Sequence, residues 1–522
     1  MADLSAEVIG RAVGSDPQIA VPARPAVRRG VRLRRVGDAV MLDGADRPQA
    51  FSGRFARESL SLLVAACDGG RTHAELASEV GLDEAAVRKS VALLWAAGVV
   101  EEGAAEDRRI PAEFACFLSR LGNSTGANGS WVDGAARLAR TTVELSGDHR
   151  LAAARAVAGV CDVVADGGAL CVFFETAASR SELAAVRRRC WATGSPLLRV
   201  RLDAESLIIG PYVDPSCTPC LTCATTDEDD LAGDPPEHAF ELAAGLVGHH
   251  LVALLSRATK TFLPREKSVL DLATLATSYR AGTTRPGCPA CSFADGPEAS
   301  AAPVAAVYEA AVALPPRRFL DPTGHLGHYQ SSNLRLQTEF RDWPGGSEVP
   351  LPPPDLSRLS GAPGNRAAAD LDDLGLVLKI AFGVRDISPE GRVKRWTAAA
   401  GNIGSVTAYL VSRDAAVLPV GVYAYLERDH VLARLPSEVP QGPQRVLLVV
   451  TGNLEKVARK YGPFGLRLVL LDAGCAVSSA REVAGHLGLE YSLEQDWDEA
   501  SLIGGLGLSP GEEPIAAVMG LG

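Results

Sequence analysis

Residues 210–223 have the sequence GPYVDPSCTPCLTC and end in the first of two Cys-x-x-Cys pairs, Cys220 and Cys223. The second pair, Cys288 and Cys291, lies in the segment RPGCPAC at residues 285–291. A Cys-x-x-Cys turn directs two sulfur atoms at one centre, and two such turns supply the four thiolates of a closed tetrahedral zinc site. The spacing therefore predicts a structural Zn²⁺ ion held by these four cysteines.

The remaining cysteines bear on this interpretation. The chain has 11 cysteines, an odd number, and thiolates on a metal in a reducing compartment explain the two clusters better than a disulfide framework does. Redox chemistry of a single Cys-x-x-Cys pair is the competing interpretation. Cys217 adds a third thiol to the first cluster, which leaves open whether it replaces Cys220. Small buried apolar residues are expected at Cys67, Cys116, Cys161, Cys171 and Cys190.

Composition narrows the class of protein. The chain has 522 residues, of which 47% are hydrophobic and 22% charged, a globular balance. Its net charge of −11 argues against a general nucleic-acid binder, whose phosphate contacts require clustered Lys and Arg. No apolar run reaches the roughly 18 to 20 residues of a membrane helix, and the first residues lack the pattern of a secretory signal. We expect a cytoplasmic protein without a membrane or nucleic-acid partner.

Residues 30–105 have the pattern of a winged-helix unit. Alternating residues in VRLRRVGDAVMLDG (31–44) predict two short strands. Thr72 and Glu75 form a capping box for one helix, and Asp83 caps the next. A regulator that places this unit on DNA is an alternative, although the last helix carries few cations.

The rest of the chain divides into two further regions. Strands and helices alternate from residue 109 to about 300, which predicts an α/β layer. A Pro- and Gly-rich stretch at 342–354 indicates a linker or an extended arm. From about residue 370 the pattern is α+β. The predicted fold class is thus a multidomain protein of α/β and α+β type.

The segments GPYVDPSCTPCLTC, SVLDLATL and RPGCPAC resemble the ThiF-like partner of the YcaO cyclodehydratases, which mature thiazole- and oxazole-containing ribosomal peptides. In that family the partner binds the leader of the precursor peptide through a winged-helix recognition element. It presents the core to the YcaO enzyme, which cyclises Cys, Ser or Thr. The resemblance implies a recognition element at residues 1–108 and a zinc-stapled adaptor at 109–300. It implies strand addition of the leader along an edge within 31–42, against a helix within 83–97.

The ThiF-like half lacks one mark of the adenylating relatives. Those enzymes need a Gly-rich turn after the first strand, which brings backbone N–H groups against phosphates. The corresponding place is taken to be SWVDGAARLAR (130–140), where Gly134 is the one glycine. We therefore expect this half to bind no ATP and to be non-catalytic.

From about residue 345 the chain resembles the SagB-type azoline dehydrogenases of the nitroreductase fold, above all over residues 446–489, and a nitroreductase-like α+β domain is assigned to 301–522. These oxidoreductases convert azolines to azoles with FMN as hydride acceptor and a base that removes a ring proton. The family's catalytic Lys–Tyr pair corresponds to Lys460 and Tyr461. Its flavin-binding positions correspond to Arg366, Arg395, Gly401, Asn402 and Ser405.

Two interpretations of this region stay open. The family's PSAG block reads AAAGNIGS at 398–405, and its DAGH-x-x-QN block reads DAGCAVSS at 472–479. Because each lost charge-assisted contact is worth about 1.5–3 kcal/mol, the domain is either an active FMN-dependent dehydrogenase or a degenerate scaffold. The chain has no recognisable YcaO segment. The partners implied are a leader peptide, a separate YcaO cyclodehydratase and, because nitroreductase flavin sites straddle two protomers, a second copy in a homodimer.

Overall fold

The chain forms two compact units, residues 4–326 and 327–522. The computed structural model describes residues 4–44, 48–104, 110–121, 126–148, 155, 157–159, 161–319, 329–344, 346–360, 368–389 and 391–522. The first unit extends past the boundary predicted at residue 300. Helix Val304–Val312 packs on strand Thr277–Ala281, and Arg318 forms an ion pair with Asp214.

Helices and two small antiparallel sheets build the N-terminal part of the first unit. The helices are α1 (Ala6–Ala12), α2 (Arg54–Glu58), α3 (Leu60–Ala66), α4 (His73–Val80) and α5 (Glu84–Ala96). The strands are β1 (Pro25–Val27), β2 (Arg32–Val36), β3 (Ala39–Asp43), β4 (Gln49–Phe51) and β5 (Val100–Glu102). β2 and β4 are the two edges of a sheet centred on β3, and β1 pairs with β5. The two strands predicted in 31–44 and the caps at Thr72 and Asp83 are confirmed.

A mixed sheet with helices around it forms the rest of the first unit. The helices are α6 (Ala112–Leu121), α7 (Trp131–Ala139), α8 (Arg180–Thr193), α9 (Leu221–Ala224), α10 (Glu237–Ser256) and α11 (Val304–Val312), followed by a short 3-10 turn at Arg317–Phe319. The strands are β6 (Thr142–Gly147), β7 (Asp162–Val164), β8 (Leu170–Glu175), β9 (Leu197–Leu202), β10 (Ser206–Val213), β11 (Glu266–Asp271) and β12 (Thr277–Ala281). Their order is β12-β11-β10-β9-β8-β6-β7. β7, β6, β8 and β9 are parallel, and the other pairs are antiparallel.

The second unit is built on an antiparallel sheet of order β13-β18-β17-β16-β19-β21-β20, with β14 and β15 as a separate hairpin. The strands are β13 (Glu348–Pro350), β14 (Val384–Ile387), β15 (Val393–Arg395), β16 (Val406–Ser412), β17 (Gly421–Leu426), β18 (Val431–Leu435), β19 (Val446–Gly452), β20 (Tyr491–Leu493) and β21 (Ile515–Leu521). The α-helices are α12 (Ser331–Arg335), α13 (Leu371–Phe382), α14 (Leu454–Tyr461), α15 (Gly465–His486) and α16 (Glu499–Leu506). Helices α13 and α15 cover one face of the sheet.

The stretch predicted as an arm and the two most apolar helical stretches bear on the predictions. The stretch at 342–354 contributes the edge strand β13, so part of this predicted arm belongs to the sheet. By length and composition, two helical stretches, Glu237–Ser256 in the first unit and Leu454–His486 here, could cross a membrane. The protein buries 56% of the most apolar window of the first and 39% of that of the second.

Candidate functional site

The four predicted zinc ligands meet at one point in the first unit. The sulfur atoms of Cys220, Cys223, Cys288 and Cys291 all lie within 4.8 Å of one another, and those of Cys220 and Cys288 are 3.8 Å apart. Four sulfurs placed about 2.3 Å from a tetrahedral Zn²⁺ ion stand about 3.8 Å from one another. The donor set and its spacing therefore fit zinc, and a site filled by four protein ligands is structural.

Local backbone geometry prepares these thiols for a cation. Burial opposes the ionisation of Cys288, but hydrogen bonds from the backbone N–H groups of Ala290 and Cys291, together with those of the Cys223 and Cys220 thiols, lower the pKa of its thiol to about 7. Burial raises the pKa of Cys220 and of Cys291 above the ordinary value. A divalent cation favours ionisation of all four thiols over burial, because it binds their thiolate form.

Cys217 is not a member of the cluster. The guanidinium of Arg318 donates to the Cys217 sulfur at 3.6 Å and to the Ser216 hydroxyl at 3.1 Å, and it forms an ion pair with Asp214. The third thiol of the CTPCLTC segment is thus bonded to an arginine and stands apart from the four clustered cysteines.

A buried lysine that the sequence analysis missed holds the first cysteine turn against the sheet. The ammonium group of Lys267, on β11, donates to the backbone oxygen of Ala224 at 3.1 Å, directly after Cys223. It also binds the carboxylates of Asp227 at 2.6 Å and Glu228 at 2.8 Å, and its side chain is 2% exposed. The signal in the sequence is a lone lysine within the strand EKSVLD.

Lys267 belongs to a larger network of buried charges on this sheet. Two arginines of β9 take part, although the sequence LLRVRL gives no sign that both are buried. Arg199 binds Glu175 at 2.5 Å and Glu228 at 2.7 Å, and Arg201 binds Asp203 at 3.0 Å and Glu228 at 3.4 Å. Glu228 therefore accepts from three cations and is the centre of the network.

The place where a nucleotide would bind differs from the one predicted. Gly134 lies in α7, before the first parallel strand, so the turn that corresponds to a phosphate loop begins at Gly147, at the end of β6. In open α/β sheets, ligands bind at the carboxyl ends of the strands where the strand order reverses, which here is between β6 and β8. A Cβ on Gly147 would overlap the Phe174 carbonyl oxygen, and the Thr176 hydroxyl donates to Asp148 at 2.6 Å. The described residues at these two strand ends are thus bonded to one another.

The sheet edge beside α5 also lies outside the predicted range. The prediction placed the leader edge within 31–42, which corresponds to β2 and most of β3. In the structure, the side-chain amide of Gln49, on the opposite edge strand β4, donates to the carbonyl oxygen of Ala97 at the end of α5. β4 is therefore joined to the end of α5 by this bond, and the leader edge within 31–42 stays a prediction.

A cavity of about 770 Å³ lies at the opposite end of the parallel strands. Its walls include Leu170 and Pro196, which are at or just before the first residues of β8 and β9, together with Tyr212 and the Asp214–Arg318 ion pair. None of the predicted site residues that the structure describes lines it.

In the second unit, the predicted catalytic pair does meet one predicted flavin-binding residue. Lys460 and Tyr461 end α14, and a Cβ built on Gly401 would lie 2.7 Å from both the Lys460 ammonium and the Tyr461 hydroxyl. The side-chain amide of Gln337 donates to the Gly401 carbonyl at 3.1 Å. Burial lowers the pKa of Lys460 and raises that of Tyr461. The catalytic role of the pair stays a prediction.

Arg395, predicted to bind the flavin, forms an internal ion pair. Its guanidinium binds Glu427 at 2.5 Å and donates to the Ile403 carbonyl at 3.4 Å, while its Nε has no partner among the described residues. Burial raises the pKa of Glu427. Lys456, close by, donates to the carbonyl oxygens of Ile403 at 2.7 Å and Glu339 at 2.6 Å, and burial lowers its pKa to about 8. The sequence analysis missed both Glu427 and Lys456.

The side chains of Asn402 and Ser405 are also bonded within the protein. The Ser405 hydroxyl donates to Asp472, whose carboxylate also accepts the backbone N–H of Ala400 at 2.9 and 3.0 Å. The Asn402 amide donates at 2.5 Å to the carbonyl of Val393 in β15. Asp472, the first residue of the DAGC segment, thus organises the block at 399–405.

Three described members of the predicted flavin set are bonded within the protein. Arg395, Asn402 and Ser405 donate to the protein itself, and Arg366 lies outside the described residues. Two cavities beside this block measure about 20 Å³ each, which is room for about one water molecule, and one of about 290 Å³ lies between Glu339, Lys456 and Arg459. A phosphate or a flavin ring would first have to break these internal bonds.

Comparison with known proteins gives structural neighbours and no sequence relatives. No family model and no curated protein sequence matches the chain. A heterocyclase solved in complex with substrate and cofactor is 17% identical, with a TM-score of 0.41, over 51% of this chain and 39% of that chain. E. coli MccB is 11% identical, with a TM-score of 0.44, over 52% of this chain and 97% of its own.

A third neighbour is of another kind. A nitroreductase from Anabaena variabilis is 20% identical, with a TM-score of 0.29, over 35% of this chain and 40% of that one. The chain is similar to both groups of protein. They are the groups that the sequence resemblance named, and this chain spans about two fifths of the heterocyclase's length.

Proposed function

We propose that the chain is an adaptor in the maturation of a thiazole- or oxazole-containing ribosomal peptide. It binds the leader of the precursor peptide and presents the core to a separate YcaO cyclodehydratase. The observation that carries this proposal is the convergence of Cys220, Cys223, Cys288 and Cys291, because these residues also carry the sequence resemblance. The Zn²⁺ ion they would hold ties together two turns of the adaptor and takes no part in chemistry.

The leader would be recognised by strand addition to the small N-terminal sheet. An extended peptide pairs with the free backbone groups of an edge strand, while its side chains contact a neighbouring helix. β4 and α5 supply such an edge and helix, joined by the bond between Gln49 and Ala97. This arrangement supports peptide binding through β4 in place of the β2 edge.

The proposed adaptor half performs no adenylation. The turn that begins at Gly147 has no glycine-rich sequence, and Asp148, directly after it, accepts a hydrogen bond from Thr176 at the end of the neighbouring strand. Charges of the sheet that could face a phosphate, such as Arg199, are neutralised by buried carboxylates. These features support the role of a scaffold.

For the second unit we propose a dehydrogenase fold retained without flavin chemistry. The internal bonds of Arg395, Asn402 and Ser405 support this interpretation. The second candidate is azoline oxidation, favoured by the meeting of Lys460 and Tyr461 at Gly401. FMN titration of the purified chain separates the two: we expect no quenching of flavin fluorescence, and a stoichiometric yellow complex would establish the oxidase.

The leader function is tested with the whole chain and synthetic leader peptides taken from short reading frames beside its gene. Fluorescence anisotropy is expected to show saturable binding that duplex DNA does not compete, with about one zinc per chain in the same sample. Adding the YcaO protein encoded nearby should convert the precursor with loss of one water per ring. Binding of duplex DNA that weakens steeply with salt, without affinity for any leader, would establish the DNA-binding alternative instead.

A further inference from the structure

We infer that the chain's own N-terminal helix α1 occupies the surface of α5 that the leader peptide needs, so that leader and helix compete for it. The inference rests on the proposed function, because it takes α5 as the helix that contacts the leader. It deepens that function by naming the resident occupant of the site and the kind of segment that can replace it.

Helix α1 crosses α5 at a glycine. A Cβ on Gly10 would overlap Cγ of Lys89 and lie 3.1 Å from its Cβ and Cδ, so the backbone of α1 rests directly on the stem of that lysine. The Lys89 ammonium binds both carboxylate oxygens of Glu7, at 3.0 and 3.2 Å. A small residue at the crossing and a carboxylate one turn earlier thus position α1 on α5.

While α1 is in place, α5 offers a peptide little free surface beyond its first turn. The exposed residues of α5 are Glu84 and Ala85 of the first turn, and Arg88. Helix α4 and strand β5 also pack against α5, and both belong to the body of the unit. A leader that contacts α5 beyond its first turn must therefore displace a neighbour, and α1 is the neighbour that can leave.

The attachment of α1 is suited to exchange. The helix has seven residues, well below the roughly 12 to 15 that an isolated helix needs in water, so it depends on α5 to stay folded. Ile9 and Ala12 are its buried side chains, and the pair between Glu7 and Lys89 is a partly exposed one of the kind that adds about 1 kcal/mol or less. Few contacts therefore have to be replaced.

The same contacts describe the segment that would compete. A leader segment that takes this surface in helical form, beside the segment that adds to β4, should carry a carboxylate three residues before a glycine or alanine, with an aliphatic residue directly before the small one, as in Glu7, Ile9 and Gly10. Such a segment reproduces the ion pair, the buried side chain and the close crossing together.

The test uses the whole chain with Gly10→Leu, which pushes α1 off α5 without changing α5. Gly14→Leu is the matched control, because among the described residues the nearest atom to a Cβ there is a backbone oxygen of its own turn, at 3.8 Å. The probes are a fluorescein-labelled peptide of residues 4–20, LSAEVIGRAVGSDPQIA, and the labelled synthetic leaders. If α1 leaves the surface free in about a tenth of molecules, both probes should bind Gly10→Leu about tenfold more tightly than the wild type or Gly14→Leu.

Unlabelled leader should also displace the labelled 4–20 peptide from Gly10→Leu. Equal leader affinity for all three chains overturns the inference and leaves the proposed function standing. Absence of leader binding to any chain, with the 4–20 peptide bound, overturns the proposed function instead. Hydrogen exchange of the wild type serves as a second measurement should Gly10→Leu not fold: leader binding must raise exchange in residues 6–12, and unchanged exchange there contradicts the competition.

Discussion

Replacing Cys223 by serine is expected to lower the melting temperature of the chain by about 10 °C. Cys223 and Cys288 are 65 positions apart, so the metal closes a loop that contains α10, β11 and β12. Closing a loop of this length removes unfolded-state entropy worth about 4 kcal/mol in the chain-entropy treatment of cross-links. Each kcal/mol shifts the melting temperature of a domain of this size by roughly 2–4 °C, with the smaller value for longer chains.

The assay combines thermal unfolding with zinc analysis of the same sample. Wild-type protein should carry about one zinc per chain, and a chelator should lower its melting temperature as the substitution does. Cys217→Ser is the matched control, since Cys217 lies in the same segment but outside the cluster. It should keep the ion and change the stability by about 0.5 kcal/mol or less. Equal melting temperatures for the two serine variants, or a wild-type chain without metal, would refute the reasoning.

Three further outcomes follow from the buried charges. Lys267→Met should lower the free energy of unfolding in urea by about 3–5 kcal/mol, because it leaves carboxylates buried without their cation. Arg280→Met, which removes a half-exposed partner of Asp227, should lower it by about 1 kcal/mol or less. Arg395→Met should also lower the free energy of unfolding by about 3–5 kcal/mol, because it leaves Glu427 buried without its cation. Added FMN should not change the stability of the wild type or of the variant. Stabilisation of the wild type alone would favour the flavin role. Burial lowers the pKa of Lys456 to about 8, so its contribution to stability is fully present above its ordinary pKa of 10.5 and is lost as the pH falls through 8. Between these values, stability of the wild type relative to Lys456→Met should rise with pH by up to about 3 kcal/mol, and a flat difference across that window would contradict the assigned cause.

The features predicted correctly from the sequence are local ones. A capping box is complete within four residues, as at Thr72 and Glu75, and a Cys-x-x-Cys turn brings its own two sulfurs together. The four-cysteine cluster could be predicted because each half is such a turn, and the metal's geometry then pairs the halves.

The errors concern features that depend on distant parts of the chain. The turn around Gly134 was taken for the nucleotide turn because the sequence does not show which strand comes first in the parallel sheet. The contact of Gln49 with Ala97 could not be predicted because it joins residues 48 positions apart, and the leader edge within 31–42 stays a prediction. The burial of Arg395 depends on Glu427, which directly follows β17 and gives no local signal.

The metal cluster and the carboxyl ends of the parallel strands are joined by one network of buried charges. Cys223 is followed by Ala224, whose carbonyl binds Lys267, and Lys267 shares Glu228 with Arg199, which reaches a carboxylate at the end of β8. The next residue, Thr176, donates to Asp148 directly after β6. Because a buried charge is tolerated only while every partner stays in place, movement of the first cysteine turn would unpair Lys267 and disturb the strand ends. A metal held by the four cysteines would therefore stabilise the ends of β6 and β8 as well as its own two turns.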